Sequence, residues 1–172
     1  MRMILCVAAI VVGLLFSPRV IEAQQRGEIS ASSVCGKAEV HQTVVIDDGR
    51  QHSISLDQRP CLWGKPIAIA GSSGTAYMSY GVDDVQNNRS RDQGYAVGAL
   101  TTGDKYFLHY DGTATLNDGV PVHLEGTWKF TGGTGSLQRL SGRGTYHAQP
   151  NQAGEMLFKI EGEYQISEPH PK

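Results

Sequence analysis

The sequence predicts an all-β chain, folded as one small antiparallel sandwich or barrel. Three observations lead there. Short runs in which apolar and polar residues alternate recur from residue 38 to residue 166. Gly, Asn and Asp separate those runs, as expected of hairpin-linked strands. No helix-length window carries an apolar stripe at 3.6-residue spacing.

The N-terminus stands apart from this pattern. Arg2 is followed by an apolar run from Met3 to Phe16, interrupted only by Gly13. Ser17-Pro18 ends it, because proline lacks the amide hydrogen that a helix needs. Ile21-Glu22-Ala23 places a small residue before Gln24, so residues 1–23 read as a cleaved signal peptide. A membrane helix needs about 20 apolar residues in a row, and this run is shorter. Cys6 lies inside the run and not at the cleavage junction, which argues against lipoprotein processing. The expectation is an exported, periplasmic or secreted protein. No later segment is apolar enough to span a membrane.

After the signal peptide, residues 24–33 are polar and lack periodicity, and read as a flexible lead. Residues 34–166 carry the β pattern, a length suited to one domain. Residues 167–172, with Pro169 and Pro171, read as a flexible tail. Within the domain the pattern yields seven or eight strands. Ala38 to Asp47 ends at Asp48-Gly49, with His52 to Leu56 as a short partner. Pro66 to Ser73 reads as a connection, either a loop or a short helix. Thr75 to Gly81 and Gly94 to Thr101 are strands, and the polar stretch Asp83 to Gln93 reads as a loop long enough to cap a barrel end. Thr102-Gly103-Asp104 and Asn117-Asp118-Gly119 are tight turns flanking a strand from Lys105 to Leu116. Pro121 to Thr131, Gly142 to Ala148 and Glu155 to Ile166 complete the set. In the last strand Met156, Phe158, Ile160, Tyr164 and Ile166 oppose Glu155, Lys159, Glu161, Glu163 and Gln165, which means one buried and one wet face.

Charge and cysteines narrow the functional classes. The formal net charge is -2, with no basic run. Nucleic acid binding is disfavoured, since it needs a positive footprint to displace counterions. Cys35 and Cys61 remain after signal removal; in an oxidising compartment such a pair forms a disulfide. The alternative is two separate thiols.

The glycine-rich stretch Phe130-Thr131-Gly132-Gly133-Thr134-Gly135-Ser136-Leu137 precedes Gly142-Arg143-Gly144-Thr145-Tyr146. Its spacing is not that of a dinucleotide-binding loop, and it has no P-loop lysine. It reads as a tight corner between strands, with Gly132, Gly133, Gly135, Gly142 and Gly144 as structural turn residues. In these residues the chain resembles the allene oxide cyclase-like barrel superfamily, which includes the dirigent proteins. The likeness runs from Gly74 to Ile166, through Gly103-Asp104-Lys105 and Tyr110-Asp111-Gly112, and is densest from Val122 to Tyr146. The resemblance implies a single antiparallel eight-stranded barrel with an apolar cavity, in a superfamily whose members often assemble through barrel surfaces. Homo-oligomers are therefore possible. The family's catalytic residues cannot be matched onto this chain one by one.

Candidate site residues are few. Tyr106, Leu108 and Tyr110 share one strand face and are the candidate pocket residues, since tyrosine offers an apolar body and a hydroxyl. His123 and Glu125 share a face on one strand; with His109 on a neighbouring strand they are candidate ligand-binding residues that could converge as metal ligands or as an acid-base pair. The alternative is a wet face opposite Trp128. No His or Cys cluster completes a metal site, and no cofactor is expected. Three functional readings follow: a binder of a small apolar molecule, a cyclase or isomerase acting on a hydrophobic substrate, or a filled barrel acting as a structural or interaction module.

Overall fold

The computed structural model describes residues 25–168. The signal peptide expected over 1–23 and the tail from residue 169 lie outside them. Nine strands follow one another: β1 (Gln25–Cys35), β2 (Val40–Ile46), β3 (His52–Ile69), β4 (Ser72–Gln86), β5 (Arg89–Leu100), β6 (Lys105–Asn117), β7 (Val120–Gly133), β8 (Leu140–Pro150) and β9 (Met156–Ile166). One 3₁₀ turn, Gly135–Leu137, lies between β7 and β8.

Every pairing is antiparallel. The sheet runs β1-β9-β8-β7-β6-β5-β4-β3, and β3 pairs back onto β1. The eight strands thus close a barrel, and β2 is an extra strand. The same edge of β3 serves two partners. Its first half, His52 to Gln58, pairs with β2, and Cys61 to Lys65 pairs with β1. Strand β1 meets β9 along its whole length but meets β3 only from Ser32 to Cys35. This short seam carries the disulfide: Cys35 and Cys61 are register partners, with Cα atoms 4.1 Å apart, and their sulfurs are bonded.

Three expectations are corrected. The flexible lead expected over 24–33 is instead strand from Gln25 onward. Its inward positions Ile29, Ala31, Ser33 and Cys35 are buried, but three of them are small or weakly apolar, so hydropathy hides the alternation. Pro66 to Ser73 is not a loop or helix. Strand β3 continues through buried Ile67 and Ile69, then turns at Ala70-Gly71, both at positive φ, a two-residue hairpin. Pro66 falls where the β3–β4 register shifts, a place that tolerates a missing amide hydrogen. The stretch Asp83 to Gln93 is not a capping loop; β4 and β5 run through it and turn at Asn87-Asn88.

The barrel's two ends differ. One end is packed solid. There Ile67, Ile69, Leu100, Phe130, Leu137 and Leu140 are all buried. Leu137 reaches this plug from the glycine-rich corner. Gly135, at φ +53°, starts the 3₁₀ turn. Asp104 holds it by accepting hydrogen bonds from the Ser136 amide at 3.1 Å and the Ser136 hydroxyl at 2.6 Å.

Along the wall, large inward rings lie across glycines of adjoining strands. Tyr110 crosses Gly81 and Gly94, Tyr146 crosses Gly112 and Gly126, and Trp128 crosses Gly144 and Gly162. A Cβ on Gly81 would come within 2.7 Å of the Tyr110 hydroxyl. The interior of an eight-stranded barrel is only just wide enough for side chains, so each large ring requires a small neighbour.

Removing the seam disulfide tests the closure. Cys35→Ala/Cys61→Ala should lower stability by roughly 3 kcal/mol, the loop-closure entropy released to the unfolded chain. Urea unfolding of the oxidised parent and the variant measures this difference.

Candidate functional site

Opposite the plug, the barrel holds a cavity of about 330 Å³. That lies within the range of small-ligand pockets. The barrel is therefore filled at one end only. Trp63, Tyr106 and Trp128 form the floor above the plug. The Trp63 indole donates a hydrogen bond to the Tyr106 hydroxyl at 3.0 Å, and Trp128 and Phe130 meet edge to face at 5.0 Å. Leu124, Phe158 and Ile160 give one apolar wall. The mouth is framed by the β1–β2 connection at Gly36-Lys37, the start of β7 at Val120-Pro121 and the β8–β9 turn.

The opposite wall is acidic. Asp57 on β3, Asp83 on β4 and Asp92 on β5 point inward on neighbouring strands. Burial pushes the Asp57 carboxyl up, but a 2.6 Å hydrogen bond with His41 and a 2.9 Å ion pair with Arg59 outweigh it and hold Asp57 below its ordinary value. Asp83 has no such cation to itself; burial and the Asp57 charge raise it to about 6. Asp92 is 9% exposed. Burial first, then the Asp83 charge, raises it to about 7. Its hydrogen bond from the Tyr146 hydroxyl spans 3.4 Å, longer than a well-formed hydroxyl bond.

Four tyrosines face this interior. Tyr77 bonds Ser33 at 2.8 Å and Tyr110 bonds Ser79 at 3.1 Å. Burial holds the Tyr77 hydroxyl up at about 12 and drives Tyr106, Tyr110 and Tyr146 higher still. All four stay protonated and act as neutral hydrogen-bonding groups.

The structure places Tyr106, Leu108 and Tyr110 together on the cavity wall. His109 points outward, with its ring 5.1 Å from Tyr95. His123 and Glu125 are also outside, half-exposed and 3.5 Å apart. His109 does not join them. It pairs in register with Lys129, whereas Glu125 pairs with Thr113, about 13 Å further along β6 at 3.3 Å per residue. Neither of the grouped expectations for these three residues reaches the cavity. The sequence reading missed the acids. Strand β5 alternates Arg89, Arg91 and Gln93 outside with Ser90, Asp92 and Gly94 inside, in phase with Ala96, Gly98 and Leu100. That phase, carried backward from the apolar half of the strand, is the signal that finds Asp92.

No family model and no curated protein matches the chain. Solved structures do. A pterocarpan synthase dirigent protein superposes with a TM-score of 0.50 at 9% identity, over 87% of this chain and 89% of that one. A conserved protein of unknown function from Rhodopseudomonas palustris covers 83% of this chain and 99% of its own, with a TM-score of 0.45 at 10% identity. The chain has the dirigent-like, allene oxide cyclase-like barrel fold. At such identity the likeness is one of fold and carries over no residue.

The raised acids make stability depend on pH. An unfolded aspartate loses its proton near pH 4, and folded Asp92 keeps its own to about 7. Between those values the folded chain binds a proton that the unfolded chain has released. Stability therefore falls as pH rises through this window. Asp83 acts in the same sense up to about 6. Asp92→Asn should exceed the parent in stability by a few kcal/mol at about pH 8, since each tenfold change in a proton-binding constant is worth about 1.4 kcal/mol. The gain should shrink to nothing towards pH 4. Denaturant unfolding across that pH range checks both points.

Proposed function

We propose that this barrel binds a small, largely apolar molecule carrying one hydrogen-bonding group, and that Asp92 receives that group. The observation that supports this reading is the cavity itself: aromatic and aliphatic on its floor and one wall, with a buried and weakly bonded carboxyl on the other. Apolar surface holds the body of such a ligand, and one placed polar group fixes its orientation. Export belongs to the same proposal. A disulfide suits an oxidising compartment, and no helix among the described residues is long and apolar enough to cross a membrane.

One observation favours a second reading, an isomerase or cyclase. A buried carboxyl that keeps its proton to about pH 7 can act as a general acid. The enclosing walls would hold a reactive substrate in one conformation.

Assembly is part of the proposal as well. Val44, Ile54, Leu56, Leu62, Tyr80 and Tyr95 are exposed on the adjoining strands β2 to β5. An apolar outer face of that kind marks an interaction surface. Self-association through it predicts that Leu62→Glu/Tyr95→Glu sediments as a smaller species than the parent in analytical ultracentrifugation.

Both tryptophans of the chain, Trp63 and Trp128, line the cavity, so intrinsic fluorescence reports on it directly. Titration with a panel of small hydrophobic phenols and amines should give a saturable change in emission. At about pH 8, where Asp92 is ionised, Asp92→Asn should weaken the best of them about tenfold or more, the worth of a hydrogen bond to a charged group. A flat response across the panel would contradict the binding reading. Chemical conversion of a bound probe, lost in Asp92→Asn, would favour the enzyme.

A further inference from the structure

The cavity leaves one cluster of side chains unused, on the outer wall of the barrel. His123 and Glu125 are two residues apart on β7 and both face outward. Glu125 is the register partner of His147 on β8, so all three stand on adjoining positions of one sheet face. His123 Nε2 lies 3.5 Å from a Glu125 carboxylate oxygen. The His123 and His147 rings tilt towards one another with centroids 6.5 Å apart. One donor atom from each residue falls within 4.8 Å of the other two.

We propose that His123, Glu125 and His147 form a binding site for a borderline divalent transition-metal ion, of which Zn²⁺ is the representative. The donor set fits that class. Two imidazoles and a carboxylate suit zinc and its neighbours, whereas calcium and magnesium prefer a shell of oxygens. The spacing fits too. Zinc–nitrogen and zinc–oxygen distances of about 2.0–2.2 Å place tetrahedral donors about 3.4 Å apart. The His123–Glu125 pair already matches this, and a ring rotation brings His147 in. The sheet fixes the three backbones, since directly opposed residues hold their Cβ atoms about 5 Å apart. Ordering therefore falls on the side chains alone.

The surroundings leave the site accessible. All three residues are exposed, so a fourth coordination position faces water. The nearest cation in register is Lys159 on β9, opposite His147. It is exposed, and its flexible stem can carry the ammonium aside. His109 is excluded from the set by its distance along β6 and its place against Tyr95.

The test is a Zn²⁺ titration of the protein purified without a histidine tag, followed by calorimetry and by the imidazole resonances in NMR. One saturable site is expected, with the His123 and His147 rings shifting and the others still. His147→Ala and Glu125→Gln should each weaken binding about tenfold or more, at least the loss that follows removal of a supporting ligand contact. His109→Ala should bind as the parent does. The thermal midpoints of the metal-free variants should match the parent, since the substituted side chains are exposed. Absence of saturable Zn²⁺ binding, or parent-like affinity in His147→Ala, would overturn the assignment.

Discussion

The space inside the barrel is the constraint on which the rest of the structure depends. Eight antiparallel strands enclose an interior that side chains can just fill. What the chain places at each inward position therefore decides whether that level is solid or hollow. At one end Ile67, Ile69, Leu100, Phe130, Leu137 and Leu140 fill it. At the other, inward positions are Ser79, Gly81, Ala96 and Gly112, interleaved with tyrosines that need those small neighbours to fit. The cavity exists because large and small residues alternate between strands.

Closure makes that interior possible. The wall has a single short seam, where Ser32 to Cys35 of β1 meets Cys61 to Lys65 of β3. The edge of β3 is shared with β2, so few backbone hydrogen bonds remain for the seam. The Cys35–Cys61 bond sits at its end, beside the cavity mouth. A strand edge left open there would be exposed to water and to pairing with other chains. The covalent link and the barrel's low-dielectric interior thus belong to one arrangement. The raised Asp83 and Asp92 are a consequence of it, since burial and the neighbouring carboxylates both disfavour the charged form.

Much of this fold was legible in the sequence, and the parts that were not share a cause. Strands β7 and β9 alternate apolar with charged residues, and both were readable residue by residue. Strand β1 was hidden because Ala31, Ser33 and Cys35 are small or weakly apolar, though buried. The β4–β5 hairpin was hidden because Asp83, Ser90 and Asp92 are polar residues on the inner face, so both faces looked wet. Those same residues make the acidic wall of the cavity. Polar residues placed inside a barrel confuse a hydropathy reading at the very positions where a ligand would be received. Tyr106, Leu108 and Tyr110 share a legible face because that segment keeps its apolar phase, and that face lines the cavity. His147 was missed because its strand is rich in glycine, and its meeting with Glu125 depends on a cross-strand register that no linear spacing reveals.

Above its solid plug the barrel holds a cavity with buried acids along one wall. Carboxyl-carbon NMR titration of the aspartates tests it most directly. One aspartate should titrate with a midpoint of about 7 and a second at about 6, assigned to Asp92 and Asp83. Midpoints near 4 for both, the value of solvated carboxyls, would mean that neither acid is buried in the cavity wall.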